Sequence, residues 1–574
     1  MLLFRDVADV FSKIESISGR LEMTDILAEL FKKTKSNEID KLVYLTQGIL
    51  SPPYEGINLG LGERFAIAAV ASSSGYDPKK VEENYKKSGD LGLTAEELIS
   101  KKKQQSLSSV NMSISYIYNS LVKIALISGS GSQDLKIKYL TELLNNSTPL
   151  EARFIIRFVT GTLRLGVGDP TIIDAFSVSK TGDKSLREEL ERAYNVCCDL
   201  GYVAKTFFET PEKIKKFEVT PFKPLMPALA ERLSTPSEIF EKLGECAIEL
   251  KFDGFRLQCH KKGDKVEIYS RKLEKMTHMF PDVTNAIKQL SVNEIIFEGE
   301  ALAYDEKRHR YFSFQQTMQR RRKHNIKEAS VDLPLNIFCF DILYLNGKDY
   351  TSESYGARRR KLEELFPKGI LKLSEKHMVK SGDEIKKLFE KSIRDGLEGI
   401  MAKDLSSPYT AGKRKFAWIK MKKSYGVSVD TIDAVIVGYY LGKGSRAEFE
   451  FGGLLVAVKN TDNQKLQTIA KIGSGFTEEQ MKELQTVLEK ASTKSPPRDL
   501  EYKIDSPDFW VKPKYVVEIA FDDITMSSIH TCGVSGERGY ALRFPRMVKL
   551  RDDKGINEVT TASEVEEMFE RQKK

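Results

Sequence analysis

The chain has 574 residues, more than one hydrophobic core supports, so several domains are expected. With 41% hydrophobic and 30% charged residues it has an ordinary globular composition, and no apolar run is long enough (about 18 residues) for a membrane helix. The net charge of +8 is modest, but Lys and Arg gather in "KKK" (101–103), "RRRK" (320–323), "RRRK" (358–361) and "GKRK" (412–415). Any one such run reads as solvated surface. Together they favour a polyanionic partner, because neutralising phosphates with Lys and Arg drives non-specific nucleic-acid affinity. The N-terminus "MLLFRDVADVFSKIES" is apolar too briefly for a signal peptide, and six scattered cysteines lack metal-site or disulfide spacings. A reducing cytosol is the expected setting.

Residues 1–217 read as helices. "DVADVFSKIESI", "TDILAELFKKT", "SYIYNSLVKIALI" and "LREELERAYNVCCDL" carry apolar residues at helical spacing. Their joints, "YEGINLGLGE", "SGSGS" and "GTLRLGVGDP", are glycine-bearing. They read equally as helix stops or as backbone that approaches phosphates closely. Three prolines in "VTPFKPLMPALAERL" then break the helical pattern. Between 218 and 426 the period becomes two: "FRLQCHKKGDKVEIYSR" reads as a hairpin, and "NEIIFEGEALAY", "LNIFCFDILYLNG", "EGIMAK" and "FAWIKMKK" as strands of an α+β domain. From 427 to 574, "TIDAVIVGYYLGKG", "FEFGGLLVAVK", "YVVEIAFDDI" and "ALRFPRMVKLR" read as strands around a helix at 477–491, which suits a β-barrel of the OB-fold type.

The chemistry concentrates in "AIELKFDGFRLQ" (247–258), where Glu249, Lys251 and Asp253 alternate, as they would on one side of an extended strand. A free lysine titrates near about 10.4, so neighbouring carboxylates alone make an ion pair rather than a nucleophile. A divalent cation and an approaching nucleotide would reverse that local field. "EGE" supplies Glu298 and Glu300, "LEGIMAK" supplies Glu398 and Lys403, and "FAWIKMKK" sets Trp418, Lys420 and Lys422 on one face. There is no P-loop, HExxH or GxSxG. Phosphoryl chemistry here must use another scaffold.

"KFDGFR" (251–256) resembles the KxDGxR signature of the covalent nucleotidyltransferases. It is followed in family order by "YSRK" (269–272), "FEGEA" (297–301), "FCFDILYLNG" (338–347), "LEGIMAK" (397–403), "AWIKMKK" (417–423) and "LRFPRMVKLRDDK" (542–554). With "TLRLGVGD" in the helical part and the tail "TTASEVEEMFERQ", the whole chain resembles the ATP-dependent DNA ligases of archaeal and eukaryotic replicative type.

That resemblance implies an all-α DNA-binding domain (1–217), an adenylation domain (218–426) and an OB-fold domain (427–574) that encircle nicked duplex DNA. It implies that Lys251 attacks the α-phosphate of ATP, with Asp253 as a catalytic or metal-orienting carboxylate. Glu249 would lie beside the adenine and Phe340 would stack on it. Arg256, Arg271 and Arg414 would contact or orient the nucleotide, Lys420 and Lys422 would hold its α-phosphate, and Glu300 and Glu398 would bind Mg²⁺, with Mn²⁺ as substitute. Arg551, Asp553 and Lys554 would assist pyrophosphate departure, and Arg543 and Arg546 would act there or on DNA. The implied protein is a monomer serving DNA replication, repair and recombination. It would work in the cytoplasm beside the nucleoid of a prokaryote, or in the nucleus of a eukaryote. Gln104, Gln105 and Leu107 partly match a sliding-clamp-binding segment, although its aromatic pair is missing. An RNA ligase or mRNA-capping guanylyltransferase is the nearest alternative. A nucleic-acid-binding scaffold without chemistry is another, since sequence does not show whether the candidate side chains converge.

Overall fold

A computed structural model describes residues 2–572, apart from 18, 89, 103–110, 164, 306–309, 313–316, 322–324, 366–368, 396, 423–429, 441–451, 522 and 536. Gln104, Gln105 and Leu107 lie outside the described residues, as does the segment around 426–427 where the sequence suggests a boundary.

The N-terminal region is helical from Phe4–Glu15 to Leu200–Glu209, closing with a 3₁₀ turn at Pro211–Lys216. Amphipathic spacing explains the packing. In the first helix Phe4, Val7, Ala8, Phe11 and Ile14 form one apolar stripe and join a core that runs to Ile214. The other three helices read from sequence appear as Arg20–Lys33, Ile114–Leu126 and Arg187–Cys197. In "GTLRLGVGDP", Gly161 and Gly166 take positive φ of 66° and 71°, and Gly168 opens the helix Asp169–Thr181.

The middle region mixes strands and helices. Its strands are β1 (Leu229–Arg232), β2 (Cys246–Lys251), β3 (Phe255–Lys262), β4 (Lys265–Ser270), β5 (Glu294–Asp305), β6 (Arg310–Tyr311), β7 (Leu335–Leu345), β8 (Lys348–Asp349), β9 (Leu371–Leu373), β10 (Lys376–Val379), β11 (Gly399–Lys403) and β12 (Arg414–Lys422). Among the described residues they form two sheets, one ordered β1-β12-β11-β2-β10 and the other β4-β3-β5-β7-β8 with β6 and β9 at its flanks. The predicted hairpin is β3–β4, closed with Lys262 opposite Lys265 across Gly263 and Asp264. Alternation holds in β12. Ile419 and Met421 pack with Ile239, Ile248 and Ile385, while Trp418, Lys420 and Lys422 face the opposite side, into a cavity between the sheets.

The C-terminal region is β-rich, with curled sheets. Its strands are β13 (Asp430–Tyr440), β14 (Gly453–Lys459), β15 (Leu466–Ile472), β16 (Ser492–Thr493), β17 (Leu500–Glu501), β18 (Phe509–Val511), β19 (Val516–Phe521), β20 (Asp523–Ser527), β21 (Cys532–Ser535), β22 (Arg538–Arg543) and β23 (Arg546–Leu550). The helix Glu478–Ala491 starts at a Thr477–Gln480 capping box, which satisfies two backbone donors reciprocally. "ALRFPRMVKLR" is two strands rather than one. The chain breaks at Phe544–Pro545, where Phe544 takes a φ of 50°, so β22 pairs with β20 and β21 while β23 pairs with β19.

Candidate active site

The site begins with β2, held antiparallel between β10 and β11. Cys246 and Ile248 enter the core, and Glu249 and Lys251 face the cavity. The strand ends at Lys251, so Asp253 sits on the following turn instead of continuing the alternation. Gly254 makes that turn possible: a Cβ there would meet the Ala301 carbonyl oxygen at 2.3 Å. Asp253 still lines the cavity, where it accepts from Lys549 Nζ at 2.8 Å.

Lys251 Nζ contacts one oxygen of Glu398, and Lys422 Nζ contacts the other. Burial pushes the Glu398 carboxyl up, but Lys251, Lys422 and Lys549 together outweigh it and hold the group well below the usual carboxylate range. Glu300 on β5 lines the same space. Burial raises it to about 7 against the pull of Lys251 and Arg256, and the charges of Glu398 and Asp553 add to the rise. Lys420 completes this wall.

Deeper in, the lining turns aromatic. Phe340 and Trp418 meet edge to face at 6.0 Å, and Arg256 lies 5.4 Å from the Phe340 ring centre. Arg256 forks onto the buried Glu298 at 3.2 and 2.6 Å, and Tyr409 donates to the same carboxylate at 2.9 Å. Glu298 therefore braces Arg256, leaving Glu300 as the member of "EGE" on the cavity wall. Glu249 is 3% exposed and pairs with Lys403 at 3.1 Å and Arg359 at 3.4 Å.

The mouth is completed from the C-terminal region. Lys549, Arg551, Asp553 and Lys554 line the cavity. Arg551 makes two 2.8 Å hydrogen bonds to Asp553 and one of 3.2 Å to Glu518. Lys554 contacts Asp433. Burial lowers the Lys554 ammonium to about 8; Asp433 opposes the shift, and Arg551, Arg271 and Lys422 add to it. Arg271, just past β4, also lines the cavity and donates to Glu558 at 3.0 Å.

Of the residues singled out from sequence, Glu249, Lys251, Asp253, Arg256, Arg271, Glu300 and Phe340 share one cavity with Glu398, Lys420, Lys422, Arg551, Asp553 and Lys554. Arg414 opens β12 opposite Leu229, and its side chain lies outside the described residues. Arg543 and Arg546 are not among the residues lining the cavity. Sequence reasoning missed Tyr355, Arg359, Lys549, Asp433 and Glu518. Lys549, Arg359, Asp433 and Glu518 stood inside quoted stretches but were given no role there, and Tyr355 gave no signal until the chain folded. The run "RRRK" at 358–361 corrects the surface reading, because Arg358 and Arg359 are 0% and 3% exposed, bound to Asp341 and Glu249.

An amine among carboxylates, an aromatic recess and a cationic rim converge, which a scaffold without chemistry does not need. Such a set suits holding a nucleotide beside a lysine. Three family models match the chain: DNA ligase N terminus at residues 3–177, ATP dependent DNA ligase domain at 227–422 and ATP dependent DNA ligase C terminal region at 447–554. A probable DNA ligase of Dictyoglomus turgidum is 47% identical, over 100% of this chain and 98% of its own. A DNA ligase of Sulfolobus acidocaldarius is 40% identical, over 99% and 98%. Among solved structures, mycobacterial DNA ligase D complexed with ATP and MES aligns with 58% of this chain and 98% of its own, at 24% identity and a TM-score of 0.38. The chain belongs to the ATP-dependent DNA ligases, and it is an enzyme of that family.

Proposed function

We propose that Lys251 attacks the α-phosphorus of ATP, forming an N–P bond as the α–β anhydride bond breaks and pyrophosphate leaves. A 5′-phosphate at a nick in duplex DNA then takes the AMP from Lys251, and the neighbouring 3′-hydroxyl displaces AMP to seal the strand. All three steps are in-line displacements at phosphorus. The observation that carries this reading is Lys251 at the junction of an aromatic recess and a cationic rim.

Glu249 and Phe340 take the base, Arg256 and Arg271 the sugar and phosphate region, and Arg414 helps orient the nucleotide. Lys420 and Lys422 hold the α-phosphate, and Asp253 orients the reacting groups. Arg551 and Lys554, with Asp553 aligning Arg551, draw off pyrophosphate. Glu300 and Glu398 would hold Mg²⁺, with Mn²⁺ as substitute. The donor set fits: both offer carboxylate oxygens on one cavity. Mg²⁺ is commonly held by one or two carboxylates plus substrate phosphates. When bound, it spreads the charge that develops on those phosphates.

A helical DNA-binding domain (1–217), an adenylation domain (218–426) and an OB-fold (427–574) closing around the duplex fit this chemistry. So do a monomeric state, cytoplasmic work in replication, repair and recombination, and a sliding clamp engaged through Gln104, Gln105 and Leu107. No helix among the described residues is long and apolar enough to cross a membrane.

The test is incubation of protein stripped of AMP with ATP labelled at the α-phosphate and Mg²⁺, followed by denaturing electrophoresis and peptide mapping. An acid-labile adduct on Lys251 is expected. Lys251→Ala should form none, yet still seal a nick that already carries a 5′-adenylate. An adduct on the Lys251→Ala protein would overturn the assignment.

A further inference from the structure

Behind the aromatic recess lies a buried network of Tyr355, Arg359 and Lys403 to which the reaction above gives no role. Glu249 lies two residues inward of Lys251 on β2, about 7 Å at strand spacing, beside Phe340, Trp418 and Met401. That apolar lining suits a flat base, and the cations nearer the mouth suit phosphates. The Glu249 carboxylate is gripped from three sides. Tyr355 Oη and Arg359 Nη1 donate to Oε1, the latter at 3.4 Å, and Lys403 Nζ stands 3.1 Å from Oε2. Tyr355 and Arg359 are one turn apart on the helix Tyr355–Leu365, so both reach the same carboxylate.

Lys403 is itself 1% exposed. The rings of Trp418, Tyr355 and Phe340 surround it at 4.5, 4.8 and 4.9 Å, and it donates to the Phe340 carbonyl oxygen at 3.3 Å. One ammonium therefore ties the carboxylate to the strand that carries the recess's aromatic ring. A carboxylate has about four acceptor sites and no donor. With three engaged, Glu249 offers the cavity an oriented acceptor. The 6-amino group of adenine donates to it, whereas the 6-oxo group of guanine or hypoxanthine would oppose it lone pair to lone pair. Sites whose buried polar groups are left unmatched discriminate strongly between such analogues.

We infer that Tyr355, Arg359 and Lys403 form a brace that sets the enzyme's choice of 6-aminopurine over 6-oxopurine nucleotides by aiming Glu249. Tyr355 and Arg359 are positioning residues, since neither lines the cavity. The inference rests on the proposal that the cavity adenylylates Lys251.

The experiment measures adduct formation by the full chain with ATP and with ITP, each labelled at the α-phosphate, for the wild type, Tyr355→Phe and Lys403→Met. Hypoxanthine differs from adenine along one edge, with a 6-oxo group for the 6-amino group and a proton on N1, so the ATP-to-ITP ratio of initial rates reads the contact to that edge. A ratio taken on one preparation cancels the fraction of protein that is active. The ratio should favour ATP in the wild type and fall roughly tenfold or more in Tyr355→Phe, the scale of one hydrogen bond to a charged group. Lys403→Met should lower it independently, with a larger rise in KM for ATP than loss of kcat. An unchanged ratio in both variants, even with both rates reduced, would overturn the brace. So would a wild type indifferent to the base. A wild type forming no adduct with ATP would instead defeat the underlying reaction.

Discussion

The aromatic end of the cavity is built from strands and one helix of the middle region alone, whereas at the cationic end Lys549, Arg551 and Lys554 arrive from the C-terminal region. The first is a buried network in which Glu249, Arg359 and Lys403 are each nearly inaccessible. Removing one member of such a group leaves an uncompensated charge, at about 3–5 kcal/mol. The second depends on contacts between regions that are partly exposed, such as Lys549 to Asp253 and Arg271 to Glu558. Pairs of that kind contribute about 0–1 kcal/mol each. The difference teaches that the aromatic end holds together within one region, whereas the cationic end is assembled only where two regions meet.

Three experiments bear on that contrast. The largest effect is expected from Lys554→Ala, which removes one cation from the end built by two regions. Self-adenylylation should fall roughly a hundredfold, the scale of one lost transition-state contact, while sealing of pre-adenylated nicks changes little. Equal losses in both assays would separate Lys554 from pyrophosphate departure. Next is pH. With its ammonium lowered to about 8, Lys554 is charged below that pH and neutral above it. The adenylylation rate should therefore fall with rising pH above about 8, by up to tenfold per unit. Lys554→Arg, whose guanidinium stays charged, should remove that limb. The smallest effect concerns Arg498, which joins the C-terminal region to Glu15 of the first helix and is 41% exposed. Arg498→Ala should cost at most about 1 kcal/mol in denaturant unfolding. A much larger loss would show that the regions are locked rather than docked.

Much of the architecture was legible from residue order. The helices followed from 3.6-residue periodicity, the β3–β4 hairpin from alternation around "KKGD", and the two faces of β12 from alternation alone. Asp253 was misjudged as part of the strand because alternation says nothing about where a strand stops; Gly254 pressing on β5 ends it. "RRRK" at 358–361 looked like surface because charge runs usually are, yet its first two arginines are buried against Asp341 and Glu249. That pairing spans 110 residues for Arg359 and 17 for Arg358, distances at which sequence carries no local signal.

The sequence by itself determined the chemistry available, namely a lysine among acids with basic strands in family order. Those properties reside in side-chain type and short-range spacing. Only the tertiary structure decided which charges neutralise one another. Glu298 was committed to Arg256, Glu249 to the brace, and Asp433 with Glu518 to Arg551 and Lys554. Partner choice among like residues depends on burial and on contacts between strands far apart in the chain, where a charge removed from water must find its counter-charge or raise the energy of the fold.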